Sequence, residues 1–204
     1  MPAMSSSLAD RKFGGFFRPM VLAGILCFAA APTGGAAAEP EGATGPAASV
    51  APADKGNSFR GVPFGAPLTK VQTLWQLEPL SDEGPQGSPL KLFIRNDETK
   101  NIGGITLQEI VYYFFEGNFY AVEIFTTDGS QTEILRQAAD IAFGGRPHVN
   151  KEGNSFVWLG KNASMQLNAN PATGEGRALI FNNDLQARYE KFSLEAAKKA
   201  AAEF

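Results

Sequence analysis

The chain has 204 residues, with 18 basic side chains against 21 acidic ones, a formal charge of −3, and one cysteine, Cys27. That balance excludes the basic stripe needed to bind nucleic acid or an anionic membrane surface. A lone cysteine excludes an intrachain disulfide framework and metal sites built on thiolates.

Arg11, Lys12 and Arg18 precede an apolar run over residues 20–31, and Ala36, Ala37 and Ala38 follow it. This order of positive, apolar and small residues predicts a secretory signal peptide over residues 1–38, and hence a periplasmic or secreted protein. The run falls short of the ~20 residues of a membrane-spanning helix, so no integral span is expected after cleavage. Leu26 stands before Cys27 where a lipidation signal would carry a small residue, so no lipid anchor is expected. Cleavage after Ala38 leaves 15 basic and 20 acidic residues, a net charge of −5. Residues 39–57 are mostly Ala, Pro and Gly, too poor in large apolar side chains to offset the entropy of ordering them, and read as a disordered spacer. Residues 58–204 then form one domain of ordinary size.

That domain opens with a short edge strand at Val62 and Phe64, kept at an edge by Pro63. Leu68, Val71, Leu74 and Trp75 recur at helical spacing after Pro67 and predict a short amphipathic helix. Residues 78–89 read as a loop, 90–95 as a strand, and 96–104 as a connection. The surest element is the hairpin over residues 105–125, two β-branched and aromatic runs flanking Gly117 and Asn118, a pair suited to a type II′ turn. With that turn, Val111, Tyr113, Phe115, Tyr120, Val122 and Ile124 share one face. Ile110, Tyr112, Phe114, Phe119, Ala121, Glu123 and Phe125 share the other. Both faces are apolar, so the second is either covered by the chain or left as a binding surface.

Asp128 or Ser130 caps a helix running to Phe143, with Ile134, Leu135, Ala138, Ile141 and Ala142 as its expected buried stripe and Gly144, Gly145 and Pro147 as its stop. Strands follow over 155–159, 163–168 and 177–181. A long final helix, capped by Asp184, buries Leu185, Tyr189, Phe192 and Ala196. The order predicts an α+β fold, an antiparallel sheet with helices packed on one face. Its helix-plus-three-strand pattern occurs twice, over about 66–126 and 129–182.

Three segments carry a resemblance: residues 59–65 (Phe-Arg-Gly-Val-Pro-Phe-Gly), 102–120, and 143–147 (Phe-Gly-Gly-Arg-Pro). Together they resemble a group of uncharacterised exported bacterial proteins, over about two thirds of the mature chain, with no known activity attached. More distantly, the helix-plus-hairpin unit is similar to small envelope modules of the outer-membrane assembly lipoprotein type, whose lipidated cysteine this chain lacks. It is similar also to two-unit β-lactamase inhibitory proteins. These likenesses concern fold, which does not fix function.

No constellation of catalytic groups stands out. His148 is the only histidine, in a loop without a second metal ligand or a nucleophile beside it. Asp82, Glu83, Asp97, Glu98, Glu109 and Asp128 fall in loops or at strand starts, where acids serve solvation. Gly174 and Gly176 flank Glu175 in a turn and open no helix, so they form no phosphate cradle. Asn162 and Ser164 match a glycosylation acceptor that a bacterial exported protein leaves unused. Trp75 and Trp158 read as core. The expected function is therefore that of a non-enzymatic protein-binding module of the envelope, needing no cofactor or metal, with an envelope protein as partner. Tyr112, Phe114, Phe119 and Phe125 would be its binding residues if their face is exposed. The alternative is a soluble carrier of an apolar small molecule lodged between sheet and helices.

Overall fold

The structure, a computed structural model, describes residues 57–81 and 88–203. The expected signal peptide over 1–38, the spacer up to residue 56, and Asp82 and Glu83 lie outside the described residues.

In chain order the elements are β1 (Ser58–Phe59), β2 (Val62–Pro63), α1 (Leu68–Val71), β3 (Leu77–Ser81), β4 (Leu90–Arg95), β5 (Asn101–Ile102), β6 (Ile105–Phe115) and β7 (Asn118–Thr126). They continue with α2 (Gly129–Phe143), β8 (His148–Val149), β9 (Ser155–Trp158), β10 (Ala163–Ala169), β11 (Gly176–Asn182) and α3 (Asn183–Ala201). Eight strands lie side by side in the order β3-β4-β6-β7-β11-β10-β9-β8, all paired antiparallel, with β5 joined to the start of β6. The fold is therefore α+β, as the sequence predicts. No helix of the described residues is long and apolar enough to cross a membrane.

The strand order is a mirror. α1 precedes the meander β3, β4, β6 and β7, and α2 precedes the meander β8, β9, β10 and β11. The last strand of each meander meets the other at the centre, Leu179 opposite Glu123. Each meander has four strands where the sequence predicts three, because β3 occupies the start of the supposed loop and β8 is only two residues long. Each helix also begins against its own unit's last turn. The Leu68 N–H donates to Gly117 O at 2.8 Å and the Thr132 hydroxyl donates to Gly174 O at 2.7 Å, and both turn glycines have φ +75°. Only glycine holds that left-handed conformation without a steric penalty.

The hairpin turns one residue earlier than its sequence suggests. Glu116 and Gly117 are the loop, with φ of +49° and +75°, the two positive values of a type I′ turn. Moving the turn by one residue changes the cross-strand partners without changing faces. A bulge does change them: Phe114 pairs with Phe119 but Tyr113 pairs with Ala121, so Tyr120 is the extra residue. Beyond it every β7 side chain is swapped. Ile110, Tyr112, Phe114, Phe119, Val122 and Ile124 therefore share one core, while Phe115, Tyr120 and Ala121 belong to the other.

The first core lies under β1, β2, α1 and α2. Phe59, Val62, Phe64, Val71, Trp75, Leu135 and Ala139 close over it. The second lies under α3, whose Leu185, Tyr189 and Phe192 pack on Phe115, Tyr120 and Phe181. Helices thus cover both faces of the sheet, a correction to the expected single layer: α1 and α2 lie on one side and α3 on the other.

Three helix details differ from expectation. α1 is one turn long, and Leu74 beyond it is exposed. α2 is capped by Asp128, which accepts from the Ser130 and Gln131 N–H groups, and it buries Thr132, Leu135 and Ala139 while Ile134 and Ile141 face solvent. Thr132 turns inward because its hydroxyl meets Thr126 Oγ1 at 2.6 Å, a pairing that hydrophobic periodicity does not register. α3 is capped by Asn182, whose side chain accepts from the Leu185 N–H, and Asp184 sits in its first turn.

Candidate functional site

The aromatic residues singled out by the sequence separate. Tyr112, Phe114 and Phe119 are each 0% exposed. Phe119 lies among Phe64, Phe114, Trp75 and Tyr112, at ring-centroid distances of 4.8, 5.4, 5.7 and 6.2 Å. Their face is covered by the chain itself, so the condition for a binding surface there is not met. Phe125 is not with them. The Tyr120 bulge places it on the opposite face, half-buried, opposite Arg177.

On that opposite face α3 closes the row formed by Ser164, Phe181, Ala121 and Tyr113, with Leu179 packed at its margin, and no other helix of the described residues packs on the rows beyond. Two rows of side chains continue across the strands beyond it. Val157, Gln166, Leu179, Glu123 and Val111 make one, and Asn168, Arg177, Phe125 and Glu109 the other. Leu179, Val157, Gln166, Phe125 and Asn168 are half-buried, while Val111 and Glu123 at the other end of the first row are buried. The surface joins aliphatic and aromatic area to a few polar groups, the mixture found where proteins meet.

At its centre stands a charged triad. Glu123, its side chain 5% exposed, accepts from the Tyr113 hydroxyl at 2.6 Å and from Arg177 Nε. The Arg177 guanidinium lies over the Phe125 ring, 5.7 Å from its centroid. Burial, and then the charge of Glu123, push the Tyr113 phenol well above its ordinary range. Burial alone would lower Arg177, but the hydrogen bond and charge of Glu123 outweigh it and the guanidinium is held above its usual value. At neutral pH the Tyr113 phenol therefore keeps its proton and Arg177 its charge, and the two can orient a partner group.

The other polar clusters fasten the fold. Glu98 accepts from Tyr112 and pairs with Arg60 Nε at 3.0 Å, while Arg60 donates to the carbonyls of Thr99 and Asn101. Burial raises the Glu98 carboxyl, and Tyr112 and the two arginines, Arg60 and Arg95, only partly offset it. Arg95 lies 4.7 Å from the Trp75 ring and chelates Asp97. On α2, Asp140 accepts from Trp158 Nε1 and from Arg136, each at 2.9 Å. Glu109 pairs with Lys100 at 2.8 Å. His148 is exposed on β8 opposite Val157. Trp75 and Trp158 are buried, as expected of core residues. Among the described residues no group of three histidine, cysteine or carboxylate side chains is placed to hold a metal ion.

Sequence reasoning missed the Glu123–Arg177 pair. Its one legible signal is Glu123 itself, a charge inside an apolar strand, which must find a partner when buried. The partner is 54 residues away and is visible only through the seam between the two units. Fold and surface together define an α+β protein of two mirrored helix-plus-meander units. No protein-family model, curated protein or solved structure matches the chain.

Proposed function

We propose that this protein is a non-enzymatic binding module of the bacterial envelope, exported to the periplasm or secreted, that seats a partner protein on the open half of its sheet. The reading rests on one observation: among the described residues α3 packs on only part of the second sheet face, and Val157, Phe125 and Arg177 beyond it are half-buried with no helix over them, Leu179 lying at the margin of the α3 core. The sequence of residues 11–38 supports export. The resemblance of the sequence to exported envelope modules points the same way. The ring packing around Phe119 weighs against a carrier with its ligand between sheet and helices, since aromatic side chains fill that interior.

The test is site-specific photocrosslinking in the native envelope. A photoreactive residue at Val157, on the open rows, captures one protein, and the same residue at exposed Ile134 on α2 does not. Leu179→Ser abolishes the capture while the protein keeps its folded circular-dichroism spectrum. Equal capture from both positions, or capture indifferent to Leu179→Ser, refutes the reading.

A further inference from the structure

We propose that Arg177 is the receptor for a carboxylate carried by an acidic side chain of the partner protein. This rests on the reading of the open sheet half as the binding surface and adds the chemistry that the surface selects.

Arg177 stands near the centre of the sheet, between Phe125 on β7 and Asn168 on β10. Its orientation is fixed twice, by Glu123 at Nε and by the Phe125 ring beneath it. The Tyr113 hydroxyl adjoins the guanidinium. No carboxylate or carbonyl of the described residues accepts a hydrogen bond from Nη1 or Nη2, although the side chain is only 29% exposed. A guanidinium held this way presents a planar pair of donors, the geometry that a carboxylate fits with two parallel hydrogen bonds. The usual loss of side-chain entropy on binding is largely prepaid by Glu123 and Phe125.

The surroundings set the charge of the ligand. Glu123 lies directly behind the guanidinium, and Glu109, neutralised by Lys100, ends the same row. With Arg177 already paired to Glu123 the site has no net charge, so an anion gains chiefly the two hydrogen bonds of the Nη pair, and a singly charged carboxylate gives up less hydration on entry than a doubly charged phosphate. Leu179 and Phe125 flank the site, so the acidic residue of the partner is accompanied by an apolar neighbour that packs on them.

The probe is phenylacetate, a carboxylate with an apolar body, titrated into the whole protein and followed by NMR at the Arg177 Nε–H and the Leu179 methyls. The expected result is a saturable shift at both positions. Phenylacetamide, which has the same shape without the charge, gives none, and phenyl phosphate binds more weakly than phenylacetate. Arg177→Lys keeps a cation beside Glu123 and so preserves the fold. It loses the planar fork and weakens phenylacetate binding about tenfold, read at the Leu179 methyls.

The assignment is overturned if phenylacetamide matches phenylacetate, if phenyl phosphate binds more tightly, or if Arg177→Lys binds as well as the natural protein. Photocapture from Val157 that survives Arg177→Lys also overturns it, while leaving the binding-face reading intact. Saturable binding at Arg177 without any capture from Val157 sinks the protein partner, and with it this proposal.

Discussion

Phe119→Ala decides whether the aromatic half of the hairpin is structure or surface. Phe119 is wholly buried and touches four other rings, the nearest with its centroid 4.8 Å away. Truncation loses the transfer free energy of the ring and leaves a cavity between Phe64, Trp75 and Phe114, a combination that costs about 3–5 kcal/mol. Against a total stability of roughly 5–15 kcal/mol this is a large fraction. For a domain of this size it lowers the thermal midpoint by about 8–15 °C. Phe125 is the matched control, an equal deletion on the other face beside Arg177. Half-buried and without a covering layer, its truncation costs about 1 kcal/mol. The assay is urea unfolding followed by tryptophan fluorescence and far-ultraviolet circular dichroism, with Trp75 lying 5.7 Å from Phe119 as a local reporter. Phe119→Ala costing no more than Phe125→Ala would refute the assignment of faces, including the register change at Tyr120.

Other outcomes follow from the same packing. Gly176→Ala brings a Cβ within 2.8 Å of Thr132 and 3.0 Å of Thr126, so the three-way contact of their hydroxyls with Gly176 breaks at a cost of about 1–3 kcal/mol, measured by denaturant titration. An unchanged midpoint would contradict it. Glu123→Ala strands Arg177 and costs about 2–3 kcal/mol, below the range for a fully buried pair because Arg177 retains access to water. That loss should persist at high salt, and rescue by salt would place the pair at the surface. Glu133 is held down to about 2 by the hydrogen bonds of Arg136 and Gln137. Its folded value lies below the ordinary 4.5, so the stability gained from its ionised form is complete above that value and disappears as the pH falls toward 2. The pair is exposed, so the gain is at most about 0.5 kcal/mol and is screened by salt. The advantage of the natural protein over Glu133→Gln should be present near neutral pH and gone in acid, and an advantage that grows on acidification reverses the sign argued here.

The elements were legible where one physical signal dominated. β4 and the two arms of the hairpin follow from β-branched and aromatic runs, and α2 from its Asp128 cap and its glycine stop. β3 was hidden because Pro79 and Glu78 give the sequence of a loop, although both are tolerable on an edge strand. The candidate surface was the least legible part. Periodicity correctly grouped Tyr112, Phe114 and Phe119, but a single extra residue at Tyr120 moved Phe125 to the other side. A bulge has no reliable signature in a strand where every residue is apolar. The cover over the first face comes from Phe59, Phe64 and Trp75, which lie well before the hairpin in the chain, so no local pattern announces the contact.

The seam between the two units also governs how the chain is made. β7 is the last strand of the first meander, and its free edge pairs only with β11, which begins about 50 residues later at Gly176. If the first meander forms before β11 docks, that edge stays bare until the second meander closes on it. A naked strand containing Phe119, Tyr120, Ile124 and Phe125 is an invitation to aggregate. Glu123 is the only charge in it, set near the middle of the exposed edge. Until Arg177 emerges to pair with it, the unpaired carboxylate repels a second copy of the same strand and acts as a gatekeeper against misassembly.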